Sequence, residues 1–192
     1  MTIERHPLQP FLPEGAKVLF LGSFPPPRQR WCMDFFYPNW INDHWRIQGL
    51  VFHGDRDRFV DNEHRTFRLE AIKAHCLRHG IAYYDTATAV RRLRDNASDK
   101  YLEVVEPTDI PALIAPLSAL QAIVTTGEKA TETICRRMEV EQMPPVGQAA
   151  GIPGTTLELY RLPSSSRAYP LPLEKKAEAY RLMFLRYGLV TF

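Results

Sequence analysis

Alternating apolar runs and helical segments predict an α/β domain built on a parallel sheet. Three observations carry this. Four short runs have β character, at 17–22 (KVLFLG), 81–86 (IAYYDT), 121–127 (QAIVTTG) and 156–163 (TLELYRLP). The first three are continuous rather than alternating, as expected of strands buried on both faces. Helix-forming segments separate the runs, which favours parallel strands joined by right-handed crossovers.

Each element has a local reason. HRTFRLEAIKAHCLRHG (64–80) puts Phe67, Ala71, Ala74 and Leu77 at helical spacing, with Gly80 suited to a left-handed C-cap. TDIPALIAPL (108–117) reads as a short helix with Thr108 or Asp109 at its N-cap. EKATETICRRM (128–138) follows, with Thr125 and Glu128 spaced as a capping box. LEKKAEAYRLMFLRYG (173–188) is an amphipathic helix ending at Gly188. No repeat or low-complexity linker divides the 192 residues, so a single domain over 1–192 is expected.

Composition excludes several classes. A hydrophobic fraction of 45% and a charged fraction of 24% belong to a soluble globular protein. No run approaches the ~18 apolar residues of a membrane span, and MTIERHPLQP lacks the apolar core of a signal peptide. A cytoplasmic protein with no membrane partner is expected. Cys32, Cys76 and Cys135 are scattered and lack a C-x-x-C pair, which argues against a disulfide framework, a structural zinc site or an iron–sulfur cluster. His75 and His79 share a helical spacing but lack a third ligand. No phosphate-loop, dinucleotide or serine-elbow motif is present, and PVGQAAGIPG (145–154) neither follows a predicted strand nor opens a helix. DRDRFVD (55–61) lacks the glycine of a calcium loop. No metal or organic cofactor is expected.

Ligands of parallel sheets bind beyond the carboxyl ends of the strands. Here those ends are Gly22-Ser23-Phe24-Pro25, Asp85-Thr86, Thr125-Thr126-Gly127 and Pro163-Ser164-Ser165-Ser166-Arg167. Small hydroxyl groups and glycines admit a phosphate backbone and donate hydrogen bonds to it. The same residues also build ordinary turns and caps, but four such ends on one rim favour a binding crevice. The first end continues into Pro25-Pro26-Pro27, which forces a stiff, extended exit from a buried strand. The net charge of +2 does not by itself imply a polyanionic partner, whereas Arg28, Arg30, Arg91, Arg92 and Arg94 cluster locally. Past the prolines, RWCMDFFYPNWINDHWR (30–46) crowds six large aromatics among amides and arginines, a composition suited to stacking on a nucleobase or to core beneath a long loop.

At these residues the chain resembles the uracil-DNA glycosylase superfamily, and most closely its hypoxanthine-DNA glycosylase and mismatch-type branch. Gly22-Ser23-Phe24-Pro25 matches the branch's G-S-F-P strand end. Phe35-Phe36-Tyr37, Asn42 and Trp45 match its aromatic F-Y-Y…N-x-x-W segment, and GIAYYDTATAVRR (80–92) is similar to its second strand and turn. LPSSSRA (162–168) resembles the L-P-S-T-S segment that enters the DNA. The chain departs from the pattern at Asp43-His44, where an arginine and an aromatic are more usual, and at Arg167, where proline is usual.

The resemblance implies a three-layer αβα fold with a four-stranded parallel sheet, and a monomeric, monofunctional glycosylase of base-excision repair. Such enzymes flip a deaminated base from DNA and hydrolyse its N-glycosidic bond without a metal. It implies that Asn42 orients the attacking water and contacts the base, while main-chain N–H groups around Ser23 stabilise the leaving anion. Gly22, Phe24, Pro25, Phe36, Tyr37, Asp85 and Thr126 would form the base pocket. Ser164, Ser165, Ser166, Arg167, Arg91 and Arg92 would meet the DNA backbone. A non-catalytic nucleic-acid or nucleotide-binding module on the same fold, or an enzyme of small nucleosides, are the alternatives.

Overall fold

Unbroken apolar runs leave the first three predicted strands with two faces to bury, and all four predicted strands meet in one sheet. The computed structural model describes residues 2–93 and 99–191. In chain order its elements are β1 (Ile3–Arg5), β2 (Val18–Gly22), α1 (His44–His53), β3 (Val60–Asp61), β4 (Thr66–Phe67), α2 (Leu69–His79), β5 (Ile81–Asp85), β6 (Ala87–Arg92), β7 (Leu102–Pro107), α3 (Ile110–Ile114), β8 (Ala122–Thr125), α4 (Glu128–Arg137), β9 (Gln148–Gly151), β10 (Glu158–Arg161) and α5 (Leu173–Arg186). The main sheet runs β5-β2-β8-β10-β9. Its first four strands are parallel, with Gly22 beside Asp85 and Leu159 beside Ile123. This is a mixed α/β fold on a mostly parallel sheet.

The predicted sheet of four strands is therefore corrected to five. The fifth, β9, lies antiparallel at the edge, with Ala150 beside Leu159. Its Gln-Ala-Ala-Gly has no apolar run, as suits a strand whose residues are exposed or only half-buried. A second sheet, β1-β6-β7, is wholly antiparallel. The chain leaving β5 bends at Thr86 and enters β6 directly, without a helix. The helix expected over 64–80 starts only at Leu69, because Thr66 and Phe67 pair with β3 in a small hairpin. The expected capping box at α4 does not form. Thr125 is still in β8, and its hydroxyl meets that of Thr131 at 2.8 Å. Asp109 does cap α3, accepting from Ala112 N at 3.1 Å, and Gly80 closes α2 at φ 70°.

Helix α1 has no counterpart in the sequence reading. His44, Trp45, Arg46, Ile47, Gln48 and Gly49 are all buried, so it lacks the one-sided apolar stripe by which a surface helix is recognised. α1 packs along α5 and against the sheet face that carries Phe20 and Tyr83. Phe20 stacks on Tyr83 at 5.3 Å between ring centres, and Tyr180 and Phe184 of α5 cover it. Each such ring stabilises the fold by about 1.5–3 kcal/mol on burial. Among the described residues, no helix is long and apolar enough to cross a membrane.

Candidate active site

Because β2, β5, β8 and β10 are parallel, their carboxyl ends share one rim. A cleft of about 800 Å³ opens there, lined by Gly22, Ser23, Asp85, Thr126 and Ser164 among others. Phe24, Pro25, Phe36, Tyr37, Asn42, Ser165 and Ser166 also line it. Residues from four strand ends, the proline loop and the aromatic segment thus converge on one concavity. The Ser23 hydroxyl is buried there without a partner, and no backbone carbonyl among the described residues takes the N–H of Ser23 or Phe24. A buried, unanswered donor set in a cleft wall is suited to a ligand that brings its own acceptors.

The proline loop is rigid for two reasons. Its φ angles are set covalently, and its free carbonyls are tied down. Pro25 O accepts from Arg92 at 2.6 Å, Pro26 O from Trp31 Nε1 at 2.8 Å and Pro27 O from Arg30 N at 2.9 Å. Arg92 is consumed by this work: its side chain is only 8% exposed and pairs with Glu4 at 2.9 Å. Arg91 pairs with Glu103 at 2.7 Å on the second sheet. Neither arginine lines the cleft, and Arg94 lies outside the described residues.

Tyr37 spans the cleft wall. Its backbone adopts φ 51°, a left-handed conformation that a bulky side chain seldom takes and that often marks functional sites. One face of the ring lies flat on His44 at 3.8 Å, and its hydroxyl meets Thr126 Oγ1 at 3.1 Å. Phe35 and Phe36 are core residues, Phe36 stacking on Tyr83. Asn42 stands at the start of α1, where its Oδ1 accepts from His44 N at 2.9 Å. That bond fixes the amide and leaves its NH₂ as the group with hydrogens to offer.

The serine loop is clamped to the same helix end. Asp43 N donates to Ser165 O at 3.0 Å, and buried Lys176 of α5 donates to Ser166 O at 2.6 Å. Ser164 Oγ and Ser166 Oγ accept from N–H groups two residues on, which leaves each hydroxyl its proton. Arg167 does not line the cleft. Its Nε donates to Asp43 Oδ1 at 3.0 Å, so two of the departures from the family pattern are partners in one ion pair.

Asp85 ends β5 and has a partner that sequence reasoning missed. His6 Nε2 approaches Asp85 Oδ2 at 2.7 Å, and both side chains are nearly closed to solvent, 2% and 11% exposed. Leu8 N donates to His6 Nδ1 at 3.1 Å, so the proton sits on Nε2 and His6 donates to a carboxylate. β1 carries His6 there through its pairing with β6, and His6 N donates to Thr88 O at 2.8 Å. Nothing in ERHPL signals this, because its partner lies 79 residues away.

Beneath the cleft a buried chain of hydrogen bonds runs from His75 Nε2 to Gln48 Oε1 (3.1 Å), from Gln48 Nε2 to Tyr83 Oη (3.2 Å) and from Tyr83 to His44 Nε2 (2.8 Å). Burial pushes His44 well below the usual imidazole range. It also pushes His75 down to about 3, helped by His79, His53 and Arg58. Both are neutral when folded, while the unfolded chain takes up their protons near pH 6.5. Stability should be full above that pH and fall as pH drops toward 3. His75 alone should remove about 2–3 kcal/mol between pH 6.5 and 4.5. Urea melts across that range check this, and a flat midpoint would contradict it.

The fold has a known relative. A solution NMR structure of a "putative Uracil DNA glycosylase" from Methanosarcina acetivorans superposes with a TM-score of 0.63 and 22% sequence identity, covering 97% of this chain and 99% of that one. The chain shares that protein's fold. No family model matches the chain, and no curated protein does. Among the described residues, no group of three His, Cys, Asp or Glu side chains is arranged to hold a metal ion.

Proposed function

We propose that the protein is a DNA glycosylase, a single uracil-DNA glycosylase-like domain over residues 1–192 and nearest to the hypoxanthine and mismatch-type branch. It would flip a deaminated base of the uracil or hypoxanthine type and hydrolyse its N-glycosidic bond. The observation that carries this reading is the cleft itself: polar groups from four parallel strand ends, a proline-braced wall and Tyr37 converge on one concavity large enough for a base. Likeness of fold to the archaeal structure supports it.

Glycosidic cleavage builds positive charge on the sugar and negative charge on the base, so the site must offer donors to the base and a water to the sugar. The fixed Asn42 amide and the N–H groups of Ser23 and Phe24 are the donors. Gly22, Pro25, Phe36, Tyr37 and Thr126 shape the pocket. The hydroxyls of Ser164 and Ser166 face phosphates beside the flipped nucleotide, with Ser165 and Arg167 holding their loop. We assign the protein to the cytoplasm, as a monomer without metal or cofactor.

Oligonucleotides carrying uracil, hypoxanthine, xanthine or a G:T mismatch, followed by hot-alkali cleavage, test the activity. Release of at least one base is expected, unchanged by EDTA. DNA binding without release of any base would favour the non-catalytic module, and a rate restored only by divalent ions would overturn the metal-free mechanism.

A further inference from the structure

Asp85 is held as a base is held. Oδ2 accepts a hydrogen bond from His6 Nε2, and Leu8 N fixes which tautomer His6 adopts. Nothing among the described residues hydrogen-bonds Oδ1, although Asp85 lines the cleft. Gly22 makes room for that oxygen, since a Cβ on Gly22 would lie 2.5 Å from Asp85 Oδ1. The carboxylate is anchored further by its own main chain, because Asp85 O accepts from Thr108 Oγ1 at 2.7 Å. Phe24, Phe36 and Tyr84 pack around the His6 ring and exclude water from the pair.

We propose that Asp85, oriented by His6 through Oδ2, is the general base that activates the attacking water, with His6 as its positioning residue. This rests on the glycosylase reading above. The water oxygen bonds to C1′ as the C1′–N bond breaks, and the bond's electron pair leaves with the base. Asp85 Oδ1 takes the water's proton, which then passes through solvent to the released base. The products are an abasic sugar and the neutral base.

The test is single-turnover base release measured beside DNA affinity, on the lesion that wild type excises. Asp85→Asn keeps the size and the His6 contact but cannot take the proton. Its rate should fall roughly 10²–10⁴-fold, the usual worth of a positioned base. Affinity should hold or tighten, because an anion facing DNA has gone. His6→Gln, which retains an N–H donor, should recover most of the rate, while His6→Phe, which retains only the ring, should not. Formate added to Asp85→Gly, which leaves room for a small carboxylate, should restore part of the rate. An Asp85→Asn variant as fast as wild type, or one whose affinity falls in step with its rate, overturns the pair while the glycosylase reading stands. A wild type that releases no base overturns both.

Discussion

Asn42→Ala should lower single-turnover base release by roughly 10²–10³-fold, about 2.7–4 kcal/mol of transition-state stabilisation. DNA affinity should stay within a few-fold of wild type. An amide cannot take a proton near neutral pH, so its work is positioning, and the structure fixes that position by tying Oδ1 to His44 N. The same bond closes the turn that leads into α1, so alanine should also cost about 1 kcal/mol of stability. Asn42→Asp separates the two effects. It retains the oxygen that accepts from His44 N and the size, yet sets a carboxylate against a developing anion, so it should keep the melting temperature and lose the rate. If Asn42→Ala releases base as fast as wild type, Asn42 is a turn residue and nothing more.

Gly22→Ala should also slow base release, although Gly22 has no side chain of its own to offer. The added methyl meets Asp85 Oδ1 at 2.5 Å, well inside contact distance, and His6 pins the carboxylate from the other side. The carboxylate must swing away or break its bond to His6. A loss on the order of 10² in rate is expected, near the lower bound for removing a general base, with the far-ultraviolet spectrum retained. Full activity in Gly22→Ala would mean that the placement of Asp85 is immaterial.

The legible parts of the fold were those where one physical demand dominates. Strands β2, β5 and β8 bury both faces and read as unbroken apolar runs, and their common rim then follows from parallel pairing. Ser23, Asp85, Thr126 and Ser164 could be brought to one cleft on that ground alone. What escaped was held by long-range or all-round burial. α1 hides Arg46 and Gln48 inside the protein and so loses its periodicity. β7 exposes nearly its whole length, which leaves little apolar signal. His6 acquires a role only through a partner in another sheet. Arg92 is held by a glutamate and a carbonyl, which a cluster of arginines in sequence does not reveal.

The pairing of Asp43 with Arg167 makes one carboxylate the hub of three cations. Asp43 sits among three cations: Arg167 at 3.0 Å, Arg46 at 3.8 Å, and Lys176, whose ammonium burial destabilises and Asp43 supports. Arg167 is 45% exposed, but Asp43 and Arg46 are not. Without Asp43, the side chains of Arg46, Arg167 and Lys176 would face one another with no anion among them, so a single carboxylate holds the serine loop, α5 and the start of α1 together.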